Sequence, residues 1–205
     1  MIRRTLSRSL LVAGTLTALA GTAIAGSASI TGFTDIGPSP IGLPSCNTTE
    51  VFDACRLPVK HGTFDTLNGW VANGHVQQGG DATGNRYATI GGGASVKQAV
   101  YTEYGTPTKD ASYVLRFRVM SENGDAPIRA TLSMSDYNGA HTDKLGATTT
   151  MARHHEWTQV ELVVDGKAFV APAHVMIEIG NESPNAIVQL DDVFLVQSAD
   201  TETAG

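Results

Sequence analysis

The fold is constrained most strongly by a series of short segments in which apolar and polar residues alternate. The segment YVLRFRVM (113–120) is the clearest, because Arg116 and Arg118 interrupt an otherwise apolar series at every second position. The same alternation recurs in IRATLSM (128–134), WTQVELVV (157–164) and HVMIEIG (174–180). Side chains on a strand point alternately to its two faces, so each segment would have one apolar and one polar face. Such strands favour antiparallel sheets that bury their apolar faces against each other.

Other segments bring the predicted number of strands to about eight. The segment AIVQLDDVFLV (186–196) is apolar on both faces except around its polar centre, as expected of a central strand. Shorter strand-like stretches lie around 62–65, 95–100 and 148–151. No window of twelve or more residues shows the 3.6-residue period of an amphipathic helix. The sequence therefore predicts an all-β fold, a two-sheet antiparallel β-sandwich of about eight strands.

The sandwich is predicted to occupy residues 57–198, and the segments that flank it differ in composition. Residues 1–25 combine a basic start, an apolar stretch of small residues and the cleavage pattern Ala-Ile-Ala, which is typical of a secretory signal peptide. A retained membrane anchor is the alternative, although the apolar stretch is short for a spanning helix. Residues 26–56 form an extension, rich in Gly, Ser and Pro at first, and 199–205 form a polar tail. We expect a secreted, extracellular protein with no membrane span in the mature chain.

Cys46 and Cys55 are the only cysteines of the chain. In an oxidising extracellular compartment they have only each other to pair with, so a disulfide is predicted. It would close a small loop and stabilise the fold by about 2–3 kcal/mol. A redox site is the alternative, but the spacing differs from the Cys-x-x-Cys pattern of such sites. Two glycosylation sequons begin at Asn47 and Asn181.

The charge of the chain argues against nucleic acid as a partner. The sequence has 14 basic and 20 acidic residues, which gives a net charge of −6. Three of the basic residues are arginines of the signal peptide, so the mature chain would have eleven basic residues against twenty acidic ones, a net charge of −9. A net-acidic surface without a basic cluster repels the phosphate backbone, so we expect no nucleic-acid binding.

No motif of a catalytic site stands out. There is no Gly-x-Ser-x-Gly motif and no free cysteine, so we predict that the chain is not an enzyme, although paired carboxylates for glycoside hydrolysis need no sequence motif. His154, His155 and Glu156 are residue types that bind metals. However, neighbours on a strand point to opposite faces, and zinc motifs use other spacings. A polar turn before Trp157 is the simpler interpretation.

Five short motifs, in this order, resemble a known family. They are HGTFD followed by Gly69-Trp70, then GNRYA (84–88), YVLRF (113–117), WTQV (157–160) and LDDV (190–193). The order and spacing resemble the galactose-binding-like β-jelly rolls, in particular secreted carbohydrate-binding modules of the xylan and cellulose-binding type. The resemblance covers residues 57–198. It departs from the family pattern where HGTFD stands in place of the usual NGxFE. It implies a jelly roll that binds polysaccharide or a cell-surface glycan without catalysis.

The resemblance also implies a structural calcium ion where the first strand meets the last. Carried over to this sequence, its ligands are Asp65 and Asp191, with backbone carbonyls near Gly62 and Gly84 as helpers. Calcium binds six to eight oxygens and mixes carboxylates with main-chain carbonyls, which agrees with this set. An Asp pair within an apolar strand needs a cation or several N–H donors. The alternative is that Asp191 and Asp192 lie in solvent at a sheet edge or cap loops.

The resemblance finally implies a sugar groove on one sheet. Sugars are recognised by aromatic rings that stack on them and by polar side chains that contact their hydroxyl groups. In the jelly roll that the sequence resembles, the strands of Arg129 and Glu178 share a sheet, and both residues would contact the ligand. The expected lining is completed by Lys97, Thr131, Ser133 and Met176, with no aromatic residue on that face. Aromatic residues would come from the rim, from Tyr87 and Tyr137 foremost and also from Tyr101 and Tyr104, unless these tyrosines only pack.

Two functional hypotheses follow. The first is a secreted, non-catalytic polysaccharide-binding module that contains structural calcium. The second is an extracellular structural protein whose N-terminal extension, through ITGFTDIG (30–37), adds a strand to a neighbouring copy, so self-association is expected in that case. Trp70 and Trp157 are expected in or near the core under either hypothesis, with buried partners for their indole N–H groups.

Overall fold

The computed structural model describes residues 42–46, 54–101, 111–136, 141–166 and 173–199. These residues form eleven β-strands and no α-helix. The strands are β1 (Ala54–Leu57), β2 (Val71–Asn73), β3 (Val76–Gly80), β4 (Arg86–Ile90), β5 (Ser95–Tyr101), β6 (Ala111–Ser121), β7 (Ala126–Asp136), β8 (Thr142–Ala152), β9 (Thr158–Asp165), β10 (Ala173–Asn181) and β11 (Val188–Ala199). No helix of the described residues has the length and apolar character needed to span a bilayer.

The strands form two antiparallel sheets. The six-stranded sheet has the order β3-β4-β11-β6-β9, and β1 also pairs with β11. The five-stranded sheet has the order β2-β5-β10-β7-β8. The predicted all-β, two-sheet antiparallel sandwich is therefore confirmed, with eleven strands among the described residues where about eight were expected.

The core lies between the two sheets and follows the predicted alternation. On β6, Tyr113, Leu115 and Phe117 are buried, and on β10 Val175 and Ile177 face them from the other sheet. Burying a side chain of this size stabilises a fold by about 1.5–3 kcal/mol. Strand β11 lies between β4 and β6, as predicted for the segment that is apolar on both faces. The alternation thus identified the inward face of the main strands correctly.

The strand expected around 62–65 is not formed, and this prediction is wrong. The segment is a turn in which His61 and Phe64 adopt positive φ angles of 48° and 52°. The turn places the Phe64 ring in the core, with its centre 5.3 Å from that of Trp70. The Gly62 carbonyl accepts a hydrogen bond from the Val193 N–H at 2.9 Å, which fastens the turn to β11. A side chain on Gly62 would collide with the Val193 carbonyl oxygen, so glycine is required there.

The predicted disulfide between Cys46 and Cys55 is present. Cys55 lies on β1, which pairs with β11, while Ser45 pairs in parallel with Arg56. The Cys46 N–H also donates to the Arg56 carbonyl at 2.8 Å. The disulfide therefore connects residues 42–46 to the edge of the six-stranded sheet. The predicted signal peptide, most of the extension and nearly all of the polar tail lie outside the described residues.

Candidate functional site

The outward-pointing side chains of the five-stranded sheet form the surface that we call the five-strand face. Its central row crosses the sheet from Val71 through Lys97 and Glu178 to Thr131, because these residues are register partners. In the next row Gly180 lies between Ser95 and Arg129. The structure thus brings Arg129 and Glu178 to the same face, in adjacent rows.

Two ion pairs lie on this face. The Lys97 Nζ atom is 3.1 Å from Glu178 Oε1, and the Arg129 Nη1 atom is 3.6 Å from Glu182 Oε1. All four side chains are between two-fifths and one-half exposed, so the pairs add little stability. They do provide exposed N–H donors and carboxylate acceptors in balanced number. The face therefore has hydrogen-bonding capacity without a net charge from these four residues.

A depression of about 500 Å³ opens between these ion pairs. Gly180 lies in its lining and contributes no side chain, while Asn73, Arg129 and Glu178 surround it with polar groups. Asn181, directly after Gly180, is buried beside it. The Asn181 side-chain nitrogen donates to the carbonyls of Ile90, Gly91 and Ala186 at 3.2, 3.2 and 2.8 Å. This side chain holds the end of β10 to the loops on either side.

An aromatic side chain does lie on the five-strand face, contrary to the expectation that this face has none. Tyr101 is the last residue of β5 and is 45% exposed. It pairs with His174 of β10, and the two ring centres are 4.3 Å apart in an edge-on arrangement. Extending the alternation of Lys97 and Ala99 by one step along β5 would have predicted this orientation.

Exposed apolar side chains concentrate on the same face. Among the described residues, four large apolar side chains are exposed, and three of them are Val71, Tyr101 and Met151. Val71 pairs with Lys97, and Met151 of β8 pairs with Pro127 at the opposite edge. The fourth, Val163, lies on β9 of the other sheet. The five-strand face therefore combines polar pairs at its centre with apolar groups around them.

Of the two tyrosines predicted foremost for the ligand site, Tyr87 lies on the other sheet. Tyr137 is outside the described residues, and so is Tyr104. Tyr87 belongs to β4 of the six-stranded sheet, where its ring covers Gly79 so closely that a side chain on Gly79 would collide with it. The Tyr87 hydroxyl donates to the Gly80 carbonyl at 3.3 Å. Tyr87 therefore packs on its own sheet, away from Arg129 and Glu178.

The two tryptophans differ in their surroundings. Trp70 is buried, and its indole N–H donates to the His61 carbonyl at 3.2 Å, so it has the buried partner expected of a core tryptophan. Trp157 is only partly buried and lies beside Tyr87, with the ring centres 6.3 Å apart. The Arg118 guanidinium carbon lies 5.2 Å from the centre of the Trp157 ring, within the range of a cation–π contact.

Asp191 is the buried acidic residue of the six-stranded sheet. Its Oδ2 atom accepts hydrogen bonds from Asn85 Nδ2 at 3.0 Å and Arg118 Nη2 at 3.2 Å, and Oδ1 accepts one from the Asp192 N–H at 2.7 Å. The pKa of the Asp191 carboxyl is raised, because the effect of burial outweighs the hydrogen bond from Asn85, which acts in the opposite direction. Asp192 adopts a positive φ of 51° at a bulge in β11 and also pairs with Arg118, at 2.7 Å. The Asp pair is thus satisfied by N–H donors and one guanidinium.

These contacts do not suit the calcium ion that the resemblance implies. Asp191 already has the Arg118 cation beside it, and the Gly62 carbonyl already accepts the Val193 N–H. Asp65 is exposed and accepts a hydrogen bond from the Thr63 hydroxyl at 3.1 Å. Within the described parts of the chain, no three His, Cys, Asp or Glu side chains form a group that could hold a metal ion. Calcium at Asp65 and Asp191 stays a prediction, and the arrangement of these donors argues against it.

The residues 154–156 lie at an exposed turn, as the simpler interpretation of the sequence predicted. The His154 backbone N–H donates to the Asp125 carboxylate at 3.0 Å, and His154 Nε2 lies 3.0 Å from the Glu122 carbonyl oxygen. His155 has a positive φ of 56°. Asp125 also pairs with Arg153 at 2.6 Å, and this bond lowers the Asp125 pKa. The Asp125 carboxylate and the Glu122 backbone carbonyl therefore hold the turn in place.

No protein-family model matches the sequence, and no curated protein matches it. Solved structures do share its fold. The N-terminal CBM22-1–CBM22-2 tandem domain from Paenibacillus barcinonensis Xyn10C matches with a TM-score of 0.53 and 14% identity, over 77% of this chain and 49% of that one. The CBM22-1–GH10 modules of Clostridium thermocellum endo-1,4-beta-D-xylanase 10B, complexed with xylohexaose, match with a TM-score of 0.50 and 18% identity, over 73% and 30%.

An enzyme has the same fold. A Stig cyclase from Fischerella sp. TAU, in complex with an indole compound, matches with a TM-score of 0.54 and 15% identity, over 71% of this chain and 98% of that one. The predicted resemblance to the β-sandwich jelly rolls of carbohydrate-binding modules is therefore confirmed for the fold. Because one fold supports both binding modules and an enzyme, function has to be argued from the residues of the site.

Proposed function

We propose that this protein is a secreted, non-catalytic module that binds polysaccharide or a cell-surface glycan on its five-strand face. The observation that carries the proposal is the position of Tyr101, an exposed aromatic ring on the face where Arg129 and Glu178 lie. Aromatic rings contact the apolar faces of sugars, and exposed charged side chains hydrogen-bond their hydroxyl groups. The carbohydrate-binding modules that share the fold support the same function.

Secretion is part of the proposal. The basic start, the apolar stretch and the Ala-Ile-Ala pattern of residues 1–25 are those of a signal peptide. The disulfide between Cys46 and Cys55 agrees with an oxidising compartment outside the cytosol. Sequencing the N-terminus of the protein recovered from the culture medium tests this directly, and we expect it to begin at Gly26.

Retention on insoluble polysaccharides tests the binding function. The purified protein is mixed with xylan, cellulose or chitin, and the bound fraction is measured after centrifugation. We expect retention on at least one of them, and a loss of retention for Tyr101→Ala. Val163→Ala is the matched control, because Val163 is similarly exposed but lies on the other sheet. Retention on none of the three would contradict the proposal and favour the structural, self-associating alternative.

A further inference from the structure

The chain contains four Asn-Gly pairs, and three of them lie among the described residues, at 68–69, 73–74 and 123–124. The fourth, at 138–139, lies outside them. An asparagine that precedes glycine can lose its side-chain amide without an enzyme. The glycine has no side chain to shield its backbone nitrogen, and its backbone rotates easily. Because the pair itself is the same at each position, the fold decides which of the three described asparagines can react.

The Asn123 side chain is held at both of its polar atoms. Its nitrogen donates to the Asn185 carbonyl at 3.1 Å, and its oxygen accepts the Ile187 N–H at 2.7 Å. To react, the side chain must turn its carbonyl carbon toward the Gly124 nitrogen, and this movement breaks both hydrogen bonds. The fold therefore protects Asn123, although the residue is exposed to solvent.

Asn68 is held through its backbone instead. It lies in a turn that the Trp70 N–H closes by donating to the Leu67 carbonyl at 3.1 Å. The Asn68 N–H also donates to the Thr66 hydroxyl oxygen at 2.8 Å. The peptide between Asn68 and Gly69 lies inside this turn, and Trp70 is buried in the core. Rotation of this peptide would therefore disturb the turn and its anchor.

Asn73 has neither kind of restraint. It is the last residue of β2, and all three residues of that strand are exposed. Within the described parts of the chain, no hydrogen bond holds the Asn73 side chain, and no backbone carbonyl accepts the Gly74 N–H. Gly74 is itself exposed, with a positive φ of 82°. The attacking nitrogen and the side chain that it attacks are thus both free to move.

We propose that Asn73 is a site of spontaneous deamidation. The Gly74 nitrogen forms a bond to the side-chain carbonyl carbon of Asn73, and the side-chain nitrogen leaves as ammonia, with the proton that the Gly74 nitrogen gives up. Water then opens the five-membered imide at either of its two carbonyls, which leaves aspartate or isoaspartate at position 73. The reaction consumes one water molecule, releases one ammonia molecule and changes no oxidation state.

The new carboxylate would lie in the depression of the five-strand face. Asn73 lines this depression, in the same row as Ser95, Gly180 and Arg129. The two ion pairs beside the depression cancel each other's charges, so one added carboxylate makes the depression acidic. The inference is independent of the proposed function, because the reaction requires only water.

Peptide mapping by mass spectrometry measures the reaction at each position. The folded protein is incubated at mildly alkaline pH in water enriched in heavy oxygen, which labels every carboxylate formed during the incubation. We expect Asn73 to react fastest, Asn68 more slowly and Asn123 most slowly. The rate at Asn73 should exceed that at Asn123 about tenfold or more. A tenfold ratio corresponds to about 1.4 kcal/mol, similar to the net contribution of two hydrogen bonds.

The same measurement in urea, with the disulfide reduced, is the control. The unfolded chain has none of the restraints at Asn68 or Asn123, so the three rates should converge. A rate at Asn68 or Asn123 that equals or exceeds the rate at Asn73 in the folded protein would overturn the proposal. An intact Asn73 in the folded protein, under conditions in which the unfolded chain reacts, would also overturn it.

Two matched variants give a second test. Asn73→Gln should slow the accumulation of acidic forms on isoelectric focusing, because attack on the longer side chain requires a larger ring. Asn68→Gln changes the other Asn-Gly pair whose side chain is exposed, and its effect should be smaller. The opposite order of the two effects would contradict the proposal. Thermal unfolding shows whether both variants keep the fold of the parent protein.

Discussion

The side chain of Arg118 bridges Asp191 and Asp192, with its Nη2 atom 3.2 Å from one carboxylate and 2.7 Å from the other. Asp191 is fully buried, and Arg118 is partly covered by its contact with Trp157. A buried carboxylate without a positive partner is strongly unfavourable. Arg118 therefore supplies the positive partner that the buried Asp191 carboxylate needs.

Replacing Arg118 by methionine should destabilise the protein by about 2 kcal/mol, because it leaves the Asp191 charge buried without its cation. The estimate lies below that for a fully buried pair, since the Arg118 side chain is 37% exposed. Urea unfolding of the variant measures the change. Arg153→Met is the control, because Arg153 and Asp125 form an exposed pair, and its cost should be below about 0.5 kcal/mol. Equal costs for the two variants would contradict the assigned role.

Removal of calcium should leave the stability unchanged. The Asp191 carboxylate is occupied by Arg118 and Asn85, and the Gly62 carbonyl by the Val193 N–H, so the expected ligands have protein partners already. The melting temperature is measured in EDTA and in millimolar calcium, with magnesium as the control ion. A decrease of several degrees in EDTA that calcium alone restores would establish the calcium site at Asp65 and Asp191 instead.

The raised pKa of Asp191 should make a contribution to stability that is favourable at low pH and is lost as the pH rises. Burial raises its pKa above the ordinary 3.8, so the folded protein holds this proton more tightly than the unfolded chain does. The contribution is therefore favourable below pH 3.8 and is lost as the pH rises from 3.8 through the raised value. Arg118, Asn85 and Asp192 are the groups that contact this carboxyl.

Asp191→Asn isolates this contribution, because the variant keeps the shape of the side chain but does not titrate. Unfolding free energies of both proteins are compared from about pH 3 to pH 7. As the pH rises through the lower part of this range, the wild-type protein should lose stability relative to the variant. A difference that stays constant with pH, or that changes in the opposite direction, would show that the Asp191 pKa is not raised.

Gly62→Ala should destabilise the protein by about 2–3 kcal/mol, because the added methyl group would collide with the Val193 carbonyl oxygen and push the turn away from β11. Thermal or urea unfolding measures the loss. Gly42→Ala provides the control, since no atom lies within 4 Å of the methyl group added there. A tolerated Gly62→Ala would mean that the turn is not held against β11 as described.

The alternation of apolar and polar residues predicted the long strands because each of them has one face in the core. The first four strands, β1 to β4, were not predicted. Strands β2 and β3 lack the pattern, since Val71–Asn73 is exposed throughout and Val76–Gly80 has a single large apolar side chain. Their extended conformation comes from pairing with β5 and β4, which are distant partners that a local pattern does not reveal. Tertiary pairing commonly overrides weak local preference in this way.

The candidate site was predictable only in part, for geometric reasons. The alternation placed Arg129 and Glu178 on the polar faces of their strands, and the family resemblance implied that these strands share a sheet. The Arg118–Asp191 pair joins residues 73 positions apart and depends on the register of β6 against β11. The turn around 62–65 was assigned to a strand because positive φ angles at His61 and Phe64 are rare for residues other than glycine. The register of paired strands and the positive φ angles of single residues depend on contacts across the assembled sandwich, so a local sequence pattern does not reveal them.

Asn181 begins one of the two sequons, yet the nitrogen that would carry an N-linked sugar is buried and donates to three carbonyls. The folded protein is thus closed to modification at this position. In a eukaryotic expression host, oligosaccharide transfer could reach Asn181 only before β10 and its loops have closed, and the attached sugar would then prevent closure. Natively folded preparations should therefore carry an unmodified Asn181 from any host, whereas molecules modified there should accumulate in the misfolded fraction.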